Sequence, residues 1–157
     1  MAIQVGEKIP DVTIKTSGMK DLSTGALCAG KKVVLFAVPG AFTPTCSEQH
    51  FPGFIEKAAD FKAKGVDVIA CMSVNDAFVM DAWAKDRGAG EDITLLADGN
   101  ADFAKALGLE MDGTGIGFGT RAQRFALVIE DGVGTHAAVE APMKFEVSRA
   151  EAVLGAL

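Results

Sequence analysis

The chain has 157 residues, 49% hydrophobic and 23% charged, the balance of one globular domain with a single core over residues 1–157. Its formal net charge of -6 argues against nucleic acid or an anionic membrane surface as the main partner. No apolar run reaches the roughly 18 residues of a membrane helix, and the start Met1–Lys8 lacks a basic stretch followed by an apolar one, so a cytoplasmic location is expected.

Val12 and Ile14 alternate ahead of the turn residues Ser17 and Gly18. The first strong strand is Val33–Val38, apolar on both faces like a central strand, and Pro39-Gly40 ends it. A helix is predicted from about Thr45 to Lys64, with Phe51, Phe54, Ile55 and Ala58 on one face and Gly65 as the stop. Pro52 falls inside it and predicts a kink or a break. Val66–Ser73 reads as a second buried strand, Asp76–Arg87 as a helix closed by Gly88, and Ile93–Leu96 as a short strand. Ala101–Leu107 follows as a short helix closed by Gly108. Phe125–Glu130, Asp131-Gly132 and Val133–Val139 spell a hairpin, and Ser148 with Glu151 forms a capping box for a last helix. The order predicts an α/β fold, a mixed central sheet flanked by helices.

Three cysteines, Cys28, Cys46 and Cys71, are too few, odd in number and too widely spaced for a disulfide framework or a structural zinc site. Cys46 stands apart because Pro39-Gly40-Ala41-Phe42-Thr43-Pro44-Thr45-Cys46-Ser47-Glu48 lies where a buried strand hands over to a helix. That corner is the usual ligand crevice of α/β folds. Thr45 and Glu48 have capping-box spacing, and Thr43 with Pro44 gives an alternative start. In both, Cys46 sits in the first helical turn, facing free N–H groups. A free thiol titrates near 8.5, and lowering that to roughly 6 needs about 3.4 kcal/mol, whereas a helix terminus contributes about 0.3–1 and at most about 2 kcal/mol. Helix placement alone does not make a reactive thiolate; a cation and local hydrogen bonds are required.

The pattern Pro39-x-x-x-Thr43-x-x-Cys46 resembles the active-site motif of the peroxiredoxins. The run Val38–Ser47, with His50 and Pro52-Gly53-Phe54 after it, is similar to the type II (atypical), peroxiredoxin-5-like subfamily. The similarity continues through Gly65–Asp76, Leu95–Asp98 and Arg124-Phe125 before Asp131-Gly132, and so covers nearly the whole chain. The resemblance implies a thioredoxin-like fold and a thiol peroxidase without metal or cofactor, acting on hydroperoxides. Thiolate Cys46 would attack the distal peroxide oxygen and become a sulfenic acid. Thr43 and the Cys46 N–H would bind the peroxide, Arg124 would stabilise the developing charge, and Pro39 would shield the site. Arg124 is preferred over the neighbouring Arg121 because it directly opens a strand, as the matched arginine does in the family. Glutathione, glutaredoxin or thioredoxin would supply electrons, with the first two preferred, and the subfamily implies a homodimer.

Several residues keep two readings. Cys71 is either a core strand cysteine or a resolving cysteine that condenses with the sulfenic acid, as some plant type II relatives use. No cysteine follows it where the vertebrate relatives place theirs, which favours a one-cysteine cycle. His50, one turn after Cys46, either orders the site or packs as a hydrogen-bonded core histidine. Cys28 reads as a loop or short-helix residue, His136 as structural or exposed, and Trp83 as core. Gly113–Gly119 is read as a loop near the pocket or a dimer contact, since it neither follows a strong strand nor opens a helix as a dinucleotide loop must. Phe42, Ile116 and Phe118 are candidates for an apolar rim or interface, or ordinary core. A cysteine hydrolase would need a general-base histidine on Cys46, for which His50 is too close in sequence to form an ordinary dyad. A redox sensor on the same fold would be oxidised without turnover.

Overall fold

The computed structural model describes residues 2–157. In chain order it contains β1 (Thr13–Thr16), β2 (Lys20–Ser23), α1 (Thr24–Cys28), β3 (Lys32–Ala37), α2 (Phe51–Glu56), α3 (Ala58–Ala63), β4 (Val68–Ser73) and α4 (Ala77–Arg87). β5 (Thr94–Ala97), α5 (Asp102–Ala106), β6 (Glu110–Gly113), β7 (Gly119–Ala122), β8 (Phe125–Glu130), β9 (Val133–Val139) and α6 (Ala150–Gly155) follow.

Seven strands form one mixed sheet in the order β2-β1-β5-β4-β3-β8-β9. β3 runs parallel to β4, β4 runs parallel to β5, and β3 is antiparallel to β8. Strand periodicity sorts the central side chains between two cores. Val34, Phe36 and Val38 join one apolar cluster with Ile69 and Cys71 from β4, whereas Val33, Leu35, Ala37, Ala70 and Met72 join the other. The first core lies under α2, α3, α4 and α6, and the second under α1 and α5. Both sheet faces are covered, which is why β3 and β4 read as unbroken apolar runs.

Several local expectations are met closely. The β8–β9 hairpin has the predicted ends, and α4 is capped by the Asp76 carboxylate, which accepts from Val79 N at 2.9 Å. Gly88 closes α4 in the left-handed conformation, φ 69°. The long helix predicted over 45–64 is instead divided. Pro44 and Thr45 are already helical, and over Cys46–His50 the turn widens so that Phe51 N–H donates to Cys46 O five residues back. Pro52 follows at the start of α2; its missing N–H and its ring cannot be fitted into a regular ladder, and the widened turn takes up the mismatch just upstream. A second interruption falls at Lys57 (φ -98°, ψ 9°), between α2 and α3.

The capping box expected at Ser148 does not form. Ser148 donates from both N and Oγ to the Glu140 carboxylate, at 2.9 and 2.7 Å, and α6 begins after Arg149 without a side-chain cap. A distant buried carboxylate outcompetes the local cap because hydrogen bonds to a charged acceptor are stronger. Gly113–Gly119 proves to be the tip of the small β6–β7 hairpin, where a Cβ on Gly113 would stand 2.6 Å from that of Phe118.

The core beneath the widened turn is an aromatic stack. Phe36 and Phe54 lie parallel with centroids 4.0 Å apart, Phe61 stacks on Phe54 at 5.4 Å, and Trp83 stacks on Phe51 at 4.1 Å. All five rings are fully buried. Phe54→Ala is therefore expected to cost about 3–5 kcal/mol of unfolding free energy, read from urea or guanidinium denaturation. A loss below about 1 kcal/mol would mean that the stack closes over the gap.

Candidate active site

β3 ends at Ala37, and the chain turns through Val38–Phe42 before entering the helix that carries Cys46. The turn is tight. Phe42 adopts a positive φ of 64°, costly for a side chain with a Cβ, and its ring is 52% exposed. A Cβ on Gly40 would meet Arg121 Nη1 at 2.9 Å and Thr43 Cγ2 at 3.2 Å, so only glycine lets these two side chains close over the corner. Thr43 N and Oγ1 both donate to Gly40 O, at 3.4 and 2.7 Å. The first helical hydrogen bond, Ser47 N to Thr43 O at 2.9 Å, makes Thr43 the residue that opens the helix. Of the two predicted starts, the one at Thr43–Pro44 forms, and Thr45 caps nothing with its side chain.

Cys46 is fully buried in the first turn, at the positive end of the helix. Its sulfur accepts from Arg124 Nη2 at 2.9 Å. Arg124, the residue before β8, is half-buried and turns its other terminal nitrogen toward His50, with Nη1 2.8 Å from Nδ1. His50 lies on the widened turn that carries Cys46, and its Nε2 is 2.9 Å from Ser148 O. A guanidinium only donates and a carbonyl only accepts, so the ring carries its proton on Nε2 and offers Nδ1 as an acceptor. Burial, then the charge of Arg124, lowers the His50 pKa from 6.5 to about 3, and the ring is neutral. Both ring nitrogens are occupied, and neither is left to act as a general base on Cys46.

Further residues, with no role in the site legible in the sequence, close it. Arg121 donates from Nη1 to Pro39 O at 3.3 Å and from Nε to Phe118 O at 3.0 Å. It is thus a clamp on the corner, whereas Arg124 is the arginine on the sulfur. Phe145 packs edge-on to His50 with centroids 5.1 Å apart, and the Arg124 and Arg149 guanidinium carbons lie 5.7 and 4.8 Å from its ring centroid. Trp83 is core, as predicted, and also donates from Nε1 to Ser47 Oγ at 2.8 Å, beside the cysteine. Asn75 Oδ1 accepts from Ala41 N at 3.0 Å and from Ser73 Oγ at 2.5 Å, fixing the far side of the turn. No local motif marks Arg121 or Phe145, and Asn75 lies in the matched run Gly65–Asp76 without a role read from it; each reaches the site from a distant part of the chain.

The other cysteines differ in kind. Cys71 is fully buried in β4, opposite Phe36 of β3 and Leu95 of β5. Burial pushes its thiol well above the usual range, and Cys46 adds to the shift. Cys28 ends α1 in the opposite core, where burial pushes its thiol up to about 11. Cys46 alone faces a cation at hydrogen-bonding distance. Among the described residues no cluster of His, Cys, Asp and Glu could hold a metal ion, and no helix is long and apolar enough to cross a membrane. His136 lies on β9, opposite Val128.

The Redoxin family profile matches residues 4–154. Peroxiredoxin-2B of Arabidopsis thaliana is 49% identical over 159 residues, spanning 99% of this chain and 98% of that protein. Chloroplastic peroxiredoxin-2E of the same plant is 48% identical over 163 residues, 99% of this chain and 70% of its own. Among solved structures, reduced Prx3 of Vibrio vulnificus in complex with hydrogen peroxide superposes with a TM-score of 0.94 at 57% identity, covering 99% of both chains. The thioredoxin-like fold expected from the sequence is the one these structures share.

The state of His50 has a consequence for acid stability. Its depressed pKa means that the unfolded chain binds a proton between about pH 6.5 and 3 that the folded chain refuses. The stability this group provides is complete above pH 6.5 and is lost toward pH 3, with a limiting slope of about 1.4 kcal/mol per pH unit. His50→Gln, which keeps a donor and an acceptor but does not titrate, is expected to lose stability less steeply between pH 6.5 and 4. Urea midpoints of the two proteins across that range measure the difference.

Proposed function

The chain belongs to the redoxin family and is a peroxiredoxin, a thiol-dependent peroxidase, and from that premise we propose that Cys46 is its peroxidatic sulfur, with glutathione or glutaredoxin as the preferred source of electrons. The observation that carries this reading is the 2.9 Å contact from Arg124 Nη2 to Cys46 Sγ at the strand-to-helix corner. It supplies the cation that the helix end alone cannot replace.

The thiolate attacks the distal oxygen of the hydroperoxide, the S–O bond forms as the O–O bond breaks, and Cys46 becomes a sulfenic acid. The other oxygen leaves with the electron pair and takes a proton to give water or an alcohol. Thr43 Oγ1 has committed its hydrogen to Gly40 O and so offers lone pairs to the peroxide O–H. Arg124 and the Cys46 N–H stabilise the charge that develops along the O–O bond, and Pro39, half-buried and held through its carbonyl by Arg121, screens the sulfur from water. The peroxide complex of Vibrio vulnificus Prx3 supports hydrogen peroxide as one substrate, and organic hydroperoxides are proposed with it.

The placement of Cys71 supports one route of regeneration. A thiol fully buried in a central strand supports a cycle in which an external thiol attacks the sulfenic acid, releasing water, and a second thiol reduces the mixed disulfide. Thioredoxin remains the runner-up donor. Three free thiols fit a reducing cytoplasm, and the exposed Phe42 and Ile116 fit a homodimer contact. A cysteine hydrolase is disfavoured because both nitrogens of His50 are committed elsewhere.

Cys46→Ser is expected to abolish peroxide consumption, and Arg124→Ala to slow it by roughly 10²-fold or more with the fold unchanged. Peroxide depletion with glutathione and glutaredoxin supplied measures both; activity retained by Cys46→Ser would refute the assignment. Cys71→Ser is expected to keep turnover with glutathione or glutaredoxin. After one equivalent of peroxide without reductant, mass spectrometry is expected to find a sulfenic acid on Cys46 rather than a Cys46–Cys71 bridge.

A further inference from the structure

We propose that Glu140 is a positioning residue for the peroxidase chemistry: by gathering the loop 141–148 around its carboxylate it fixes the tautomer of His50 and so aims Arg124 at Cys46. The inference rests on the reading of Cys46 and Arg124 given above.

Glu140 follows β9 and is only 7% exposed. None of the ion pairs among the described residues includes it. Its Oε2 instead accepts from Glu146 N at 2.7 Å, Ser148 N at 2.9 Å and Ser148 Oγ at 2.7 Å. Three donors from one loop thus converge on a single oxygen. Burial pushes the carboxyl up, but the bonds from Ser148 and Glu146 together outweigh it and keep the group ionised. A buried anion with no cation at ion-pair distance is a costly way to tie a loop, since a neutral acceptor would avoid the desolvation. What it provides is strength: charge-assisted bonds are about twice as strong as neutral ones.

The same residue reaches Arg124 from two sides. Its backbone N–H donates to Arg124 O at 3.0 Å, pinning the main chain from which the guanidinium extends. Through the loop it sets the carbonyl of Ser148, which receives the His50 Nε2 proton at 2.9 Å. That acceptor selects the tautomer. With the proton held on Nε2, Nδ1 has a lone pair to take Arg124 Nη1 at 2.8 Å, and the planar fork then presents Nη2 to sulfur. With the proton on Nδ1, two donors would face each other and the guanidinium would have to swing away. The loop also carries Phe145, whose ring flanks both His50 and Arg124. The order of dependence is carboxylate, loop, carbonyl, imidazole, guanidinium, sulfur.

The test is Glu140→Ala, read by two signals that loss of packing alone would not move together. The chain has two histidines, His50 and His136, so long-range ¹H–¹⁵N spectra resolve the tautomer of each. Wild-type His50 is expected to show the Nε2–H form. The variant is expected to show exchange between tautomers and to react with hydrogen peroxide roughly 10- to 100-fold more slowly, as for a misaimed catalytic group. If Glu140→Ala does not fold, Glu140→Asp, one methylene short of the loop, is expected to show the same mixing and at least a threefold slowing. In whichever variant is folded, either an unchanged tautomer or a rate within threefold of wild type overturns the proposal. Arg124→Ala in parallel separates the levels: a wild-type rate there means that the reading of the site has failed, not the role of Glu140.

Discussion

One planar cation sets the terms for the rest of the site. The Arg124 guanidinium is rigid, always charged and able only to donate, and its two terminal nitrogens face Cys46 Sγ and His50 Nδ1. A fork of fixed geometry can satisfy two acceptors only if both are held to within a few tenths of an ångström. One acceptor is a sulfur in the first turn of a helix, and the other is an imidazole further along the same widened turn. A charged imidazole would repel the guanidinium and offer it no lone pair. Burial, which makes protonation of His50 unfavourable, is therefore part of how the arginine is held.

The widened turn belongs to the same constraint. Its five-residue hydrogen bond, Phe51 N to Cys46 O, inserts extra chain between the cysteine and the regular part of α2. Cys46 and His50 are four apart, near neighbours on one helical face, and both turn toward Arg124. Phe51 and Phe54 then continue into the aromatic core against Trp83, Phe36 and Phe61. The reactive turn is thus backed by rigid packing on its inner side and by the strained Phe42 corner at its start.

Much of this was legible in the sequence wherever the signal is local. Strands buried on both faces read as apolar runs at 33–38 and 66–73, and Asp76 and Gly88 marked the ends of α4 because caps act within one turn. The motif at Pro39, Thr43 and Cys46 could be read because the corner that carries it is continuous in the chain. The site's closure could not be read in that way. Arg124 meets Cys46 across 78 residues, and His50 meets Ser148 across 98. Ser148 carries a sound local signal, Ser-x-x-Glu before a helix, and a buried carboxylate eight residues upstream claims it instead. The division of the long helix at Lys57 has no proline or glycine at the break to announce it.

The redox cycle proposed for Cys46 bears on the same packing. The Cys71 thiol sits in a strand paired on both sides, between Phe36 of β3 and Leu95 of β5, so any movement of its backbone toward Cys46 disrupts the sheet. Each backbone hydrogen bond surrendered costs about 0.5–1.5 kcal/mol net, and exposing the apolar faces of β4 adds to that. Burial also keeps Cys71 in its protonated, weakly nucleophilic form. An external thiol leaves β4 intact and requires instead that the buried Cys46 sulfur be uncovered. The packing that holds Arg124 on Cys46 thus also holds Cys71 in β4, which supports the external thiol proposed above.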